Sequence, residues 1–135
     1  MDIAKLLPDE PNLRNFYFRS DVIRVIDGDT VECLLDLGFR LEKIQSVRLA
    51  FIDTPEIRGS EKEDGLKAKK QLEWMLKKAN RKNMIVQTID GENDKFGRTI
   101  GIIYLWHERL RVWQNINRIL VDNKLANLYD GGAKK

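Results

Sequence analysis

Residues 47–56 read VRLAFIDTPE. Val47, Leu49, Ala50, Phe51 and Ile52 have the composition of a strand entering a core, with β-branched and aromatic residues side by side and no helical period. Pro55 must stop that strand, because proline keeps Thr54 extended and brings no N–H to a ladder. From Glu61 to Ala79 the period changes. Ala68, Leu72, Met75, Leu76 and Ala79 fall on one helical face, and Lys67, Lys70, Trp74, Lys78 and Arg81 on the other. A strand, a proline break and a long amphipathic helix therefore follow in order, and the rest of the fold is read outward from them.

Upstream, FYFRSDVIRVI (16–26) and TVECLLDLGF (30–39) have strand composition and are joined at the turn signal Asp27-Gly28. LEKIQSVRLAFID (41–53) is the third strand. Downstream, NMIVQTI (83–89) and RTIGIIYLW (98–106) are the fourth and fifth, linked by the polar stretch DGENDKFG. Trp113, Ile116, Ile119, Leu120 and Leu125 mark a second helix near the C-terminus, with Asn115 as its cap. Five strands with one helix after the third predict a mainly β, α+β fold. Its expected form is a five-stranded Greek-key barrel of the OB type, an architecture that commonly binds nucleic acid or sugars. MDIAKLLPDEPN reads as a loose start. The expected boundaries are a tail at 1–13, the folded domain at 14–130 and a second tail at 131–135.

Composition removes several function classes. The 135 residues, 42% hydrophobic and 33% charged, suit one globular domain, and no apolar run is long enough to cross a bilayer. Neither a membrane partner nor a signal peptide is expected, so the chain is placed in the cytoplasm. Cys33 is the single cysteine, which excludes a disulfide framework and a cysteine zinc site and suggests a small buried strand residue. With His107 the single histidine and no Gly-x-Ser-x-Gly motif, triad hydrolysis is not expected. Any chemistry then falls to carboxylates and arginines, with or without a metal.

The net charge of +3 fits an anionic partner. The bias concentrates in Lys67, Lys69, Lys70, Lys77, Lys78, Arg81 and Lys82, which face a single acid, Glu73. Lys67, Lys70, Trp74 and Lys78 could track a nucleic-acid backbone, or they form a solvated face.

Asp29 follows the Asp27-Gly28 turn, Asp53, Thr54 and Glu56 cluster where the third strand breaks at Pro55, and oxygen donors without histidine or cysteine suit calcium, magnesium or manganese. Neither DGDTVECLL nor DGENDKFGR has the spacing of an EF-hand loop. Arg48 and Arg98 offer planar forks for phosphate oxygens, or salt bridges to neighbouring acids. Arg48 and Asp53 are an odd number of residues apart, so bringing them together requires a bulge or bend between them.

Asp27-Gly28-Asp29-Thr30-Val31, VRLAFIDTPE and DKFGR (94–98) resemble the staphylococcal nuclease (thermonuclease) family in order, sequence and spacing, from about Val22 to Leu128. The resemblance implies an OB-fold barrel and calcium-dependent cleavage of DNA and RNA with little sequence specificity, leaving 5'-hydroxyl and 3'-phosphate ends. By position it implies Asp29 and Asp53 as calcium ligands beside the Thr54 carbonyl, Glu56 as the group that activates or orients water, and Arg48 and Arg98 as the phosphate clamp. Lys95, Phe96 and Tyr129 are its substrate-side residues, Phe96 standing where the family commonly has tyrosine. The segment after Glu56 is shorter than the family's loop, and residues are added around YLWHERLRVW. The family's third helix is expected to be absent after Tyr129, leaving the N-terminal tail or a second chain to cover a barrel face. A monomer is expected, with a homodimer as the alternative. Two other functions remain open: an inactive nucleic-acid-binding module of the same fold, and an interaction domain that uses the basic helix or WHERLRVW.

Overall fold

β1 (Tyr17–Asp27), β2 (Thr30–Gly38) and β3 (Leu41–Leu49) form an antiparallel meander in the computed structural model, which describes residues 2–11, 16–93 and 97–129. β5 (Met84–Asn93) and β6 (Thr99–His107) form a second antiparallel pair. Two short pairings join these units. Tyr17–Arg19 of β1 lies against Ile85–Gln87 of β5, and Val47–Leu49 of β3 runs parallel to Thr99–Gly101 of β6. The ring β3-β2-β1-β5-β6 is thereby closed into the five-stranded barrel expected of an OB fold. Strand alternation fills it: Val31, Cys33 and Leu35 from β2, Val47 and Leu49 from β3, and Met84 and Val86 from β5 are buried. Burial pushes the Cys33 thiol up to about 12, so this cysteine is a core residue without reactive character.

α2 (Lys62–Met75) follows a single 3₁₀ turn and packs Ala68 and Leu72 inward, while Trp74 on the opposite face is 72% exposed. It is shorter than its apolar period suggests. The helix stops near Leu76, yet Leu76 stays buried because the following turn still lies on the core. The cap expected at Asn115 is present: its Oδ1 accepts from Arg118 N at 3.0 Å at the start of α3 (Ile116–Asp122). Trp113, however, is not helical. It lies in a short β7 (Val112–Asn115) opposite Trp106 of β6, and its three-residue spacing from Ile116 only imitates a helical period.

A third strand reaching Asp53 is also corrected. β3 ends at Leu49, Phe51 takes φ 65°, and β4 (Ile52–Asp53) pairs with β8 (Asn127–Leu128) instead. The loose N-terminal tail is corrected as well. α1 (Ile3–Leu6), capped by Asp2, leads to a fully buried Leu7, and Pro8 O accepts from Asn115 Nδ2 at 2.7 Å. Asp9 adds an ion pair to Arg118 at 2.9 Å. Leu7 belongs to the same core as Ile103 and Ile116, with Ile3 and Leu6 packed against it, and that apolar surface outweighs the flanking charges. Among the described residues, no helix is long and apolar enough to cross a membrane.

Candidate active site

The Asp27-Gly28-Asp29 turn ties the broken strand together. Asp29 N donates to Asp27 Oδ1 at 3.1 Å, which shapes the turn, and Asp29 O accepts from Leu49 N at 2.8 Å. On the far side of the break, Thr54 N donates to Asp29 Oδ2 at 3.1 Å. One residue thus holds the end of β3 and the segment beyond β4 at once. α2 closes over the turn at Gly28, where a Cβ would lie 2.7 Å from that of Ala68.

Arg48 leaves β3 beside Thr30 and Ile100, its neighbours on β2 and β6. Its Nη2 lies 3.3 Å from Asp29 Oδ2 and 3.6 Å from Asp53 Oδ1, and its Nη1 donates to Leu49 O at 2.8 Å. The bend required by the odd spacing is the Ala50–Phe51 turn. A buried asparagine pins it: Asn117 of α3 donates to Ala50 O at 3.1 Å and Gly101 O at 3.2 Å, and accepts from Ile103 N at 3.2 Å.

Electrostatics separates the two aspartates of the turn. Burial raises the Asp29 pKa, but the Arg48 charge, a hydrogen bond from Asp27 and the Thr54 amide outweigh it, and Asp29 stays below the usual carboxylate range. Asp27 moves the other way, to about 6, through burial and then through its hydrogen bond to Asp29 and that residue's charge. They behave as a pair in which Asp29 ionises first and Asp27 follows at about 6.

Glu56 sits on the segment after Pro55, its side chain exposed and its N donating to Glu61 Oε2 at 2.8 Å. Its peptide packs onto α2 at Gly65, where a Cβ would overlap its carbonyl oxygen and lie 2.5 Å from its carbonyl carbon. Arg98 precedes Thr99, the β6 neighbour of Val47, so the parallel pairing that closes the barrel places Arg98 just before the strand that runs beside Arg48. Gln45 Nε2 donates to Gly97 O at 2.9 Å and fixes the approach to Arg98. Tyr129 N donates to Phe51 O at 2.7 Å, which places that aromatic beside the bend.

Direct contacts therefore join Asp29, Arg48, Asp53 and Thr54, while Arg98, Glu56 and Tyr129 are brought to the same end by register and packing. Lys95 and Phe96 lie outside the described residues. His107 serves a turn, its Nδ1 accepting from Leu110 N at 3.0 Å. Sequence reasoning missed three supports. Gly65 carried a signal, being a lone glycine inside a helical pattern. Asp27 read only as a turn residue. Asn117 carried none beyond being a polar residue between Ile116 and Ile119.

Two carboxylates converging on one cationic nitrogen form a pair that accepts positive charge, and their oxygens suit a hard divalent ion. Among the described residues, no group of three or more histidine, cysteine or acidic side chains could hold a metal.

A family profile described as staphylococcal nuclease homologue matches residues 46–135. Micrococcal nuclease of Shigella flexneri is 32% identical over 115 residues, covering 83% of this chain and 59% of that protein. Protein ParB of Escherichia coli is 32% identical over 114 residues, covering 82% and 57%. The chain spans a little under three fifths of the length of these curated relatives.

Proposed function

We propose, given that this chain belongs to the family of staphylococcal nuclease homologues, that it is a calcium-dependent endonuclease acting on DNA and RNA with little sequence preference and leaving 3'-phosphate ends. The observation that carries the reading is the convergence of Arg48 with Asp29 and Asp53 at 3.3 and 3.6 Å, beside the strand end from which Arg98 emerges.

Attack of water on a phosphodiester builds negative charge on the equatorial and leaving oxygens. Arg48 and Arg98 supply forked, permanently charged donors for those oxygens. Arg48's contacts to the two aspartates are longer than a tight charge-assisted pair of about 2.8 Å, so its fork retains donors for a phosphate. Glu56, exposed and anchored by its backbone, takes a proton from the attacking water or aligns it. Calcium held by Asp29, Asp53 and the Thr54 carbonyl would add positive charge at the phosphate and make nearby water more acidic.

The test is digestion of single- and double-stranded DNA and RNA in calcium, magnesium or EDTA, comparing the parent with Glu56→Gln and Arg48→Ala. Calcium-dependent cleavage that falls at least about a hundredfold in both variants is expected. Cleavage indifferent to calcium and to Glu56 would sink the proposal. Nucleic-acid binding without cleavage by the parent would make the chain a binding module instead.

A further inference from the structure

The added segment around YLWHERLRVW builds something the catalytic cluster does not use. β6 and β7 place Trp106 opposite Trp113, with ring centroids 5.3 Å apart at 65°, and Glu108 accepts from Trp106 Nε1 at 2.8 Å. Together with Tyr17, Arg19, Lys82 and Ile85, the two indoles line an open cleft of about 440 Å³. The aromatic walls are half-buried, while Arg19 and Lys82 are exposed at the rim.

These rim cations differ from their neighbour. Arg81 is bound by Asp21 at 2.9 Å, Asp36 at 3.8 Å and Glu42, which consumes its charge within the protein. Arg19 donates to Arg81 O at 3.3 Å, and among the described residues neither it nor Lys82 pairs with a carboxylate. Flat aromatic walls beneath uncommitted cations complement a ligand with flat rings and anionic links.

The cleft also connects to the basic side of α2. Asn83 donates through Nδ2 to Lys78 O at 3.1 Å, and its own carbonyl accepts from Trp106 N at 2.7 Å. The stripe Lys67, Lys70, Trp74, Lys78 therefore starts near the catalytic turn, where Ala68 meets Gly28, and ends beside the indole pair. Along β1, Arg19 is eight residues from Asp27, or about 26 Å at roughly 3.3 Å per residue.

We propose that the Trp106–Trp113 cleft is a second nucleic-acid site, taking a base of a single strand against its indoles and the adjoining phosphate between Arg19 and Lys82, so that the strand is held away from the scissile bond. The proposal rests on the nuclease reading only for the identity of the strand as substrate.

The experiment measures anisotropy of a labelled oligothymidine of about twelve nucleotides in EDTA, and in parallel KM and kcat in calcium for that strand and for a dinucleotide too short to span the distance. Lys82→Glu changes an exposed side chain that pairs with no carboxylate among the described residues, and Trp113→Leu removes the stacking face but keeps apolar volume. Each is expected to weaken strand binding about tenfold or more and to raise KM for the long strand, leaving kcat and the dinucleotide unaffected. Unchanged strand affinity in Lys82→Glu, or equal KM changes for both lengths, would overturn the second site while leaving the nuclease intact. A parent that cleaves neither length but loses strand binding on Lys82→Glu would uphold the cleft and refute the nuclease. Binding of thymidine monophosphate with no gain for the longer strand would also overturn it, reducing the cleft to a nucleotide pocket.

Discussion

Gly65→Ala tests how the glutamate segment is held. In an exposed helix this change would stabilise the fold by about 1 kcal/mol, because glycine is the poorer helix former. Here the added methyl would lie 2.5 Å from the Glu56 carbonyl carbon and 2.8 Å from Ile57 N, and both are backbone atoms that cannot swing aside. Ordinary contact begins near 3.4 Å and the Glu56 carbonyl oxygen is closer still, so the peptide after Pro55 must retreat by more than about 0.9 Å. Overpacking of this kind costs about 1–3 kcal/mol, which exceeds or cancels the propensity gain. A net loss of about 1 kcal/mol lowers Tm by about 4 °C in a domain of this size. The larger effect is on rate. Moving Glu56 by about 1 Å or more is expected to cut kcat about a hundredfold with a smaller change in KM. Thermal melts together with kcat and KM on one DNA substrate decide the matter. A variant as stable as the parent or more so, with full kcat, would show that the Glu56 segment does not depend on its contact with α2.

Three further outcomes are expected. Asn117→Ala removes three buried hydrogen bonds at the Ala50–Phe51 bend and should cost about 3 kcal/mol, read as a Tm drop of about 10 °C; a drop under about 3 °C would mean that the bend holds itself. Leu7→Ala should cost about 2–5 kcal/mol by denaturant titration if the N-terminal segment is part of the core, and almost nothing if it is a loose tail. The Asp21 carboxyl is held below its ordinary value of 3.8 by the Arg81 backbone amide and then by the Arg81 side chain. Its contribution is therefore present above 3.8 and lost as pH falls through the folded value. Asp21→Asn should accordingly be less stable than the parent at neutral pH and equal to it in acid, and a gap that persists in acid would refute the assignment.

The barrel was legible because its signals are local. Alternation in 30–39 and 83–89, the Asp27-Gly28 turn and the helical period after Pro55 each specify an element without reference to distant residues. The missed strands failed for the opposite reason. β4 and β8 are two residues each and exist only because Ile52–Asp53 and Asn127–Leu128 meet across the fold. β7 was hidden because Trp113 fits a helical spacing, and its strand is set by pairing with β6. The same division runs through the site. Residue types announced Asp29, Arg48 and Asp53, and the need for a bend followed from their spacing. What makes the bend, Phe51 at φ 65° with Asn117 beneath it, lies in no motif. Precision at the site comes from residues whose chemistry is structural.

Charge counting explains why such a cluster would need a further cation to act on phosphate. With Asp29 and Asp53 ionised and Arg48 protonated, the contacts at 3.3 and 3.6 Å leave a local charge of about −1. Above its midpoint of about 6, Asp27 takes the total toward −2. A phosphodiester brings another negative charge and meets repulsion unless positive charge is added. Arg98, just before the adjoining strand, supplies one unit, which offsets only part of the deficit. A divalent ion held by Asp29 and Asp53 would supply the rest and would leave more of Arg48's fork for phosphate. On this balance the acids and the arginines are not separate subsites. Each sets how strongly the other binds its ligand, so removing the ion should impair phosphate binding and cleavage together.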